Sequence, residues 1–366
     1  MKTNNLVIKG REKGNLNKVK SKYILLIIFD HLNGKRVFDF IKYNKNIKKR
    51  IGININHYKL ISEKYSSIKI EIKLVNNKFG KFININDEDK LYYHIYFDNN
   101  EEEIKRNYIK DDENVNLNKI RIDYRVKSFK QLFSKCQCIQ SIDFKQFNTN
   151  NIKDMSYMFD ECSLLKVLNL NSFKTNNVTD MHYMFYGCSS LEELNLKNFN
   201  TINVRNMSFM FYGCSSLKQL NISHFYTNRV KTMCFMFSDC SSINELNLIN
   251  FNTYNVIDMA GMFSRCLSLI KINVNNFNTN NVKDMSYMFN ECSTLKELNL
   301  SNFNIKNENN VSHMFSDCSS LKELILNNFN NNNGKYIVGM FYGCSTEFIW
   351  KIKTQYKNIN EIAFNY

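Results

Sequence analysis

The sequence predicts an α/β fold in which about nine turns stack into a solenoid, preceded by a small helical segment and a β-rich capping region. Three observations predict it. The pair Met158-Phe159 returns as Met184-Phe185, Met210-Phe211, Met236-Phe237, Met262-Phe263, Met288-Phe289, Met314-Phe315 and Met340-Phe341, always 26 residues on, with Leu132-Phe133 as a degenerate first turn. Other columns keep the same step: a cysteine file from Cys136 to Cys344, a phenylalanine file from Phe147 to Phe329, and a leucine file from Leu165 to Leu321 in which Ile243 takes one place. Within each unit the apolar period changes from that of a strand to that of a helix. Such a unit cannot bury its apolar face alone, and stacking on its neighbours does so.

Residues 1–20 read as a basic tail without periodicity. Residues 21–64 read as a basic helical segment: Ile24, Ile28 and Leu32 share one face, and Val37, Ile41 and Ile47 suggest a second helix after Asn33-Gly34. Residues 65–128 form a β-rich N-terminal cap, with alternating runs at Ile68–Ile72, Tyr92–Phe97 and Ile120–Tyr124. The array itself spans 129–345. Residues 346–366, with Phe348, Ile349, Trp350 and Ile352, read as a C-terminal cap over the last apolar edge.

Inside one unit, Leu168-Asn169-Leu170 alternates as a strand does, with the leucines inward and the Asn outward. Met155, Met158, Phe159 and Cys162 stand at i, i+3, i+4 and i+7, the apolar stripe of a short helix. Asp154 is placed to cap that helix, and Gly187, Gly213 and Gly343 stand where left-handed residues would close it. The strands then lie parallel, about 4.8 Å apart, and the array spans on the order of 40 Å.

The run Leu165-x-x-Leu168-x-Leu170-x-x-Phe173 resembles the leucine-rich repeat, with Phe in the slot where Asn or Cys usually closes the turn. The whole unit, with its Met-Phe pair and elements such as Cys188-Ser189-Ser190-Leu191, resembles the BspA-like class of leucine-rich repeats over residues 129–345. The resemblance implies a right-handed solenoid whose strand face binds a protein ligand. Tyr23-Ile24-Leu25-x-x-Ile28-Phe29-x-x-Leu32 resembles the start of an F-box, which implies a ubiquitin-ligase substrate adaptor; a helical cap or a basic docking helix is the other reading.

The net charge of +15 is uneven: residues 1–64 hold 16 Lys/Arg against 4 Asp/Glu, residues 65–128 hold 12 against 12, and the rest 21 against 18. A nucleic-acid or anionic-membrane partner is therefore expected, if at all, through residues 1–64. An AT-rich codon bias is the plain explanation for the abundance of Asn and Lys, and it lowers the weight of any single one. Ile24–Phe29 is too short for a signal-peptide core, and no apolar run reaches about 18 residues, so a cytoplasmic chain is expected over a secreted one.

The cysteines form a file and not a tetrahedron, which fits packed free thiols and neither a metal site nor disulfides. The six histidines share no ligand spacing with Cys, Asp or Glu, and phosphate-binding, dinucleotide-binding and hydrolase motifs are missing. No catalytic, cofactor-binding or metal residue is assigned, and no cofactor is expected. The expected ligand-binding face is the outward strand side: Asn169, Asn195, Asn221, Asn247, Asn273 and Asn299, beside Glu193, Gln219, Glu245 and Glu297. Stacked Asn amides that merely bond one another are the competing reading. A non-enzymatic protein-interaction scaffold follows, with a surface or secreted adhesin and the ligase adaptor as alternatives; oligomeric state is left open.

Overall fold

In the computed structural model the chain divides into two units, Met1–Ser66 and Ser67–Tyr366. The residues described are 44, 46, 47, 49, 67–98, 100–123, 126, 128–147, 152–330, 334–357 and 359–365. The tail over 1–20, the F-box-like stretch and nearly all of the helical segment over 21–64 lie outside them.

Strands β1 (Ile68–Leu74), β2 (Gly80–Lys81), β3 (Tyr93–Phe97), β4 (Tyr108–Ile109) and β5 (Leu117–Ile122) precede the array. Each alternating run expected there holds a strand. Alternation decides their faces: Ile68, Ile70, Ile72 and Leu74 are buried, and Lys69 and Lys73 are exposed. β6 (Ile139–Gln146) belongs to the first repeat and β7 (Val167–Asn169) to the second. Together they complete a five-stranded sheet of order β3-β5-β1-β6-β7. β1 runs antiparallel to β6, with Ile72 opposite Ile142, while β7 runs parallel to β6, with Leu168 opposite Ile142. The sheet thus changes from antiparallel to parallel where the repeats begin.

Further along, the strands are minimal. β8 (Glu193–Leu194) pairs parallel with β9 (Gln219–Leu220). Near the other end, β10 (Glu297–Asn299) and β11 (Asn304–Lys306) pair parallel with β12 (Glu323–Ile325) and β13 (Asn328–Asn330) respectively. Residues 221–296 hold no strand.

The short helix expected in each unit is not formed. Met155, Met158, Phe159 and Cys162 are fully buried, as their spacing requires, but they lie on consecutive β-turns. Met158 N–H donates to Met155 O (3.3 Å) and Cys162 N–H to Phe159 O (3.1 Å). The third residue of each of these turns, Tyr157 and Glu161, has positive φ, as a type II turn demands. Both positions recur in every unit, as Tyr183 and Gly187, Phe209 and Gly213, Phe235 and Asp239, through to Gly339 and Gly343. Asp154 is accordingly not a helix cap: its Oδ1 accepts from Ser156 N–H two residues on (2.9 Å), an Asx turn.

This geometry has a cause. In a helix each N–H would point back to the residue four before. Here the left-handed residues aim theirs along the stack: Tyr157 donates to His182 O (3.0 Å) and Glu161 to Tyr186 O (2.7 Å). Met155 and Phe159 do the same, to Asp180 O (3.1 Å) and Met184 O (2.9 Å). The Phe159-type bond is unbroken from Phe133 to Phe341. Single-residue parallel bridges run beside it from Ser128 through Asp154, Asp180, Asn206, Thr232, Asp258 and Asp284 to Asn310.

Side chains complete the stack. Phe133, Phe159, Phe185, Phe211, Phe237, Phe263, Phe289, Phe315 and Phe341 form one column of parallel rings, neighbouring centroids 5.4 to 5.9 Å apart. All eleven cysteines are free. In the file from Cys162 to Cys344 each thiol donates to the Phe carbonyl of the preceding unit, as Cys240 does to Phe211 O (3.1 Å). Buried threonines bridge units on another edge: Thr253 Oγ1 donates to Asn278 O (2.9 Å) and accepts from Asn278 N–H (2.6 Å).

At the C-terminal end the helix α1 (Thr346–Gln355), capped by Ser345, buries Phe348 and Ile352 but leaves Trp350 exposed. Trp350 is therefore not part of the closure. The seat of a further turn is taken by Ala363-Phe364: Ala363 O accepts from Phe341 N–H (2.8 Å), and Phe364 stacks on Phe341 at 5.6 Å.

Candidate functional site

The ten residues expected to face a ligand all lie on the strand side. Glu193, Gln219, Glu245 and Glu297 are exposed, and so are Asn195, Asn221, Asn247, Asn273 and Asn299; Asn169 is half-buried. Their inward neighbours, Leu194, Leu220, Leu246 and Leu298, are buried. The alternation that sequence implies is thus the alternation of the two faces.

The Asn column has a structural duty that differs from the one weighed against binding. Each side-chain Oδ1 accepts the backbone N–H two residues on: Asn195 from Lys197 (3.2 Å), Asn221 from Ser223 (3.3 Å), Asn247 from Ile249 (3.2 Å), Asn273 from Asn275 (3.0 Å) and Asn299 from Ser301 (2.9 Å). These are Asx turns, one at the same place in each unit. They fix the amide and leave its NH2 outward. Asn169 and Asn195 spend theirs on Asp143 (2.9 Å) and Asn171 (3.3 Å). Asn221, Asn247, Asn273 and Asn299 keep exposed donors, with the oxygen occupied. A ligand meeting this file meets amide donors.

Six of the ten residues are brought together. Gln219, Asn221, Glu245, Asn247, Asn273 and Glu297 line an open groove of about 990 Å³, together with Lys218 and Lys271. The groove occupies the stretch in which no strand ladder forms between Leu220 and Glu297. Asn169, Glu193, Asn195 and Asn299 share the face but not the groove lining. Along the groove Glu245, Lys271 and Glu297 alternate in sign, and none has an ion-pair partner among the described residues. Lys218 is paired with Glu192 (2.8 Å).

Sequence reasoning missed Ile249, which lines the groove and is 70% exposed. Its signal was available. The same repeat position holds Asn171, Lys197, Ser223, Asn275 and Ser301, so an aliphatic residue there departs from every one of these units.

Among the described residues no group of three or more His, Cys, Asp or Glu is arranged to hold a metal ion. His94, half-buried in the N-terminal sheet, stands near two carboxylates. Its Nδ1 lies 3.1 Å from Glu103, and its Nε2 lies 3.8 Å from Asp123. Burial pushes the thiols of Cys214, Cys266 and Cys344 up to about 12, which keeps them protonated. No helix among the described residues is long and apolar enough to cross a membrane.

Two family models match the sequence. One is described as "Mycoplasma protein of unknown function, DUF285" and matches residues 127–247, 194–271 and 236–356, together well over half of the chain. The other, described as "BspA type Leucine rich repeat region (6 copies)", matches residues 53–181. No curated protein and no solved structure matches at a significant level.

Proposed function

The chain belongs to the family described as Mycoplasma protein of unknown function, DUF285, and carries BspA-type leucine-rich repeats; from that premise we propose that it is a non-enzymatic scaffold binding a protein ligand along its strand face. In this reading the repeats form a right-handed solenoid of about nine turns, which the constant step of 26 residues and the continuous inter-unit bonding support. The observation that carries the proposal is the groove of about 990 Å³. It gathers fixed amide donors, unpaired charges of both signs and one exposed isoleucine, which suits a polar, partly basic protein surface with an apolar anchor.

The test is recovery of a partner with the full chain as bait, then a titration with Glu245→Lys/Glu297→Lys. Loss of at least about tenfold in affinity is expected, the scale of a hot-spot pair. Unchanged affinity removes the groove from the function. A cytoplasmic location is part of the proposal, supported by cysteines that all stand free, the file from Cys162 to Cys344 donating to carbonyls. The BspA-type repeat favours a second reading, an adhesin displayed outside the cell, and imaging of the endogenous protein decides between them.

A further inference from the structure

Repeats act as controls for one another. The residue that most units carry at a position is what stacking asks for, and an exposed departure needs another cause. Besides Ile249 on the strand face, a group of such departures gathers on another edge.

After each Phe the chain makes a tight turn closed by a Val N–H on a Thr carbonyl: Val178 on Thr175 (3.0 Å), Val204 on Thr201 (2.9 Å), Val230 on Thr227 (2.9 Å), Val256 on Thr253 (2.9 Å) and Val282 on Thr279 (3.1 Å). The outer two turns carry Asn176-Asn177 and Asn280-Asn281 at their tips. The three between carry Ile202-Asn203, Asn228-Arg229 and Tyr254-Asn255. Just before the Thr, Asn200, Asn252 and Asn278 each accept the N–H two residues on, at 3.1, 3.0 and 3.0 Å. In the middle unit this place is held by Tyr226, which gives that bond up. Ile202 and Tyr226 are 51% exposed, Tyr254 58% and Ile257 47%.

Charge departs at two of these units. Lys153, Thr179, Arg205, Lys231, Ile257 and Lys283 form one file in which a cation is the commoner residue, and from Arg205 on each N–H is bonded to the carbonyl before it at 2.9 Å. The next position is Asp in the units of Asp154, Asp180, Asp258 and Asp284, but it is Asn206 and Thr232 beside Arg205 and Lys231. The flanking Asp180 and Asp258 are half-buried, and each has Oδ1 on a backbone N–H, of His182 (3.1 Å) and of Ala260 (3.0 Å). Arg229 holds only Asn203 Oδ1 (3.0 Å), and Arg205 and Lys231 have no carboxylate partner among the described residues. The units of Arg205 and Lys231 therefore lack the Asp that their neighbours carry, the turn between them adds Arg229, and across three adjacent units four large apolar side chains are exposed, on turns that fold without them elsewhere.

We propose that this edge is a second docking surface, for an acidic segment of a partner protein that carries apolar side chains. Tyr and Arg at a desolvated centre are the usual anchors of protein recognition, and the missing Asp carboxylates remove repulsion against an acidic ligand. Single-stranded nucleic acid is less well matched, because it relies on aromatic platforms and two of the four exposed apolar groups are isoleucines. A membrane surface is usually met by an amphipathic helix or a lipid chain, and this edge is a file of turns. None of these residues lines the strand-face groove, so the surface stands or falls independently of it.

The test pans a displayed library of random peptides on the full chain and measures the recovered peptides by fluorescence anisotropy. Oligo-dT and phosphatidylserine-containing vesicles serve as the rival probes. Two variant sets return residues to those of sister units: Ile202→Asn with Tyr226→Asn and Tyr254→Asn, and Arg205→Thr with Arg229→Asn and Lys231→Thr. Both sets should melt at or above the parent temperature, since other units fold with those residues. Peptides rich in Asp/Glu and Leu/Phe should be recovered, each variant set should weaken them at least about tenfold, and Glu245→Lys/Glu297→Lys should leave them unchanged. Recovery of no such peptide, binding indifferent to both sets, or binding of oligo-dT or vesicles that the same variants abolish overturns the proposal.

Discussion

The strand face and the turn face of the array share a repeat but not a construction. On the turn face four N–H groups of each unit donate to the next, for example Met155, Tyr157, Phe159 and Glu161 to residues 25 further on. On the strand face parallel ladders extend over two or three residues and stop altogether between Leu220 and Glu297. Left-handed conformations at bulky residues such as Tyr183 and Phe209 cost roughly 1–2 kcal/mol each. Bonds worth about 1 kcal/mol net, a ring column and buried thiols offset them. Cohesion is thus concentrated on the turn side, which leaves the strand side free to vary and to open into a groove.

The largest way to break this contrast is alkali. The nine thiols from Cys136 to Cys344 are buried, and burial raises every one of them, to about 12 for Cys214, Cys266 and Cys344. A raised folded value means the native state holds protons that the unfolded chain releases near pH 9. Stability is therefore complete below about pH 9 and is lost as pH rises toward 12. One unit above pH 9 each thiol costs about 1.4 kcal/mol, so nine together approach the whole stability of an ordinary domain, about 5–15 kcal/mol. Circular dichroism across pH 8 to about 10.5 should show cooperative unfolding, and the native thiols should resist alkylation below that range. A fold unmoved through this range would mean that the thiols are not packed as described.

Single substitutions sharpen the same contrast at smaller scale. Phe251 is buried in the array and Asn247 is exposed. Phe251→Ala should cost about 3–5 kcal/mol, and Asn247→Ala about 1 kcal/mol, since water can replace its bond to Ile249 N–H. Equal denaturant midpoints would contradict the assignment of faces. Thr253→Val keeps the shape but removes a hydroxyl that serves both backbone groups of Asn278. A loss of about 1–3 kcal/mol is expected, between the other two.

The repeat step, the buried columns and the outward strand residues were legible because each is a matter of side-chain chemistry at a constant interval. The turn geometry was not. The spacing of Met155, Met158, Phe159 and Cys162 suits a helical stripe and two consecutive turns equally well, and left-handed positions are recognised by Gly. Here most are held by Tyr, Phe, Asp, Glu, Arg or His; Gly187, Gly213 and Gly343 gave a sign that was taken for a helix end, and Gly261 and Gly339, at the other left-handed position, were passed over. Asn usage was misjudged for a related reason. Codon bias explains many Asn in general, yet Asn203, Asn255 and Asn281 donate across units to carbonyls of Asn176, Asn228 and Tyr254 at 2.7 Å. The groove itself was half legible: its polar residues follow from alternation, but the missing ladder that opens it has no sequence mark beyond Ile249.

The smallest expected effect is the most demanding test of the division between faces. Glu245, Lys271 and Glu297 are exposed neighbours in one column, and none makes an ion pair among the described residues. Glu245→Lys/Glu297→Lys turns this alternating file into three cations on adjacent units. Like charges facing one another across neighbouring strands are destabilising, but exposed substitutions rarely shift stability by more than about 0.5 kcal/mol, and salt screens them. The variant should therefore lose no more than about 0.5 kcal/mol at low salt and regain it near 1 M salt. A loss of several kcal/mol that salt does not restore would mean that the strand side also holds the units together. The turn-side bonds would then not suffice for cohesion, and the groove could not be altered by selection without endangering the fold.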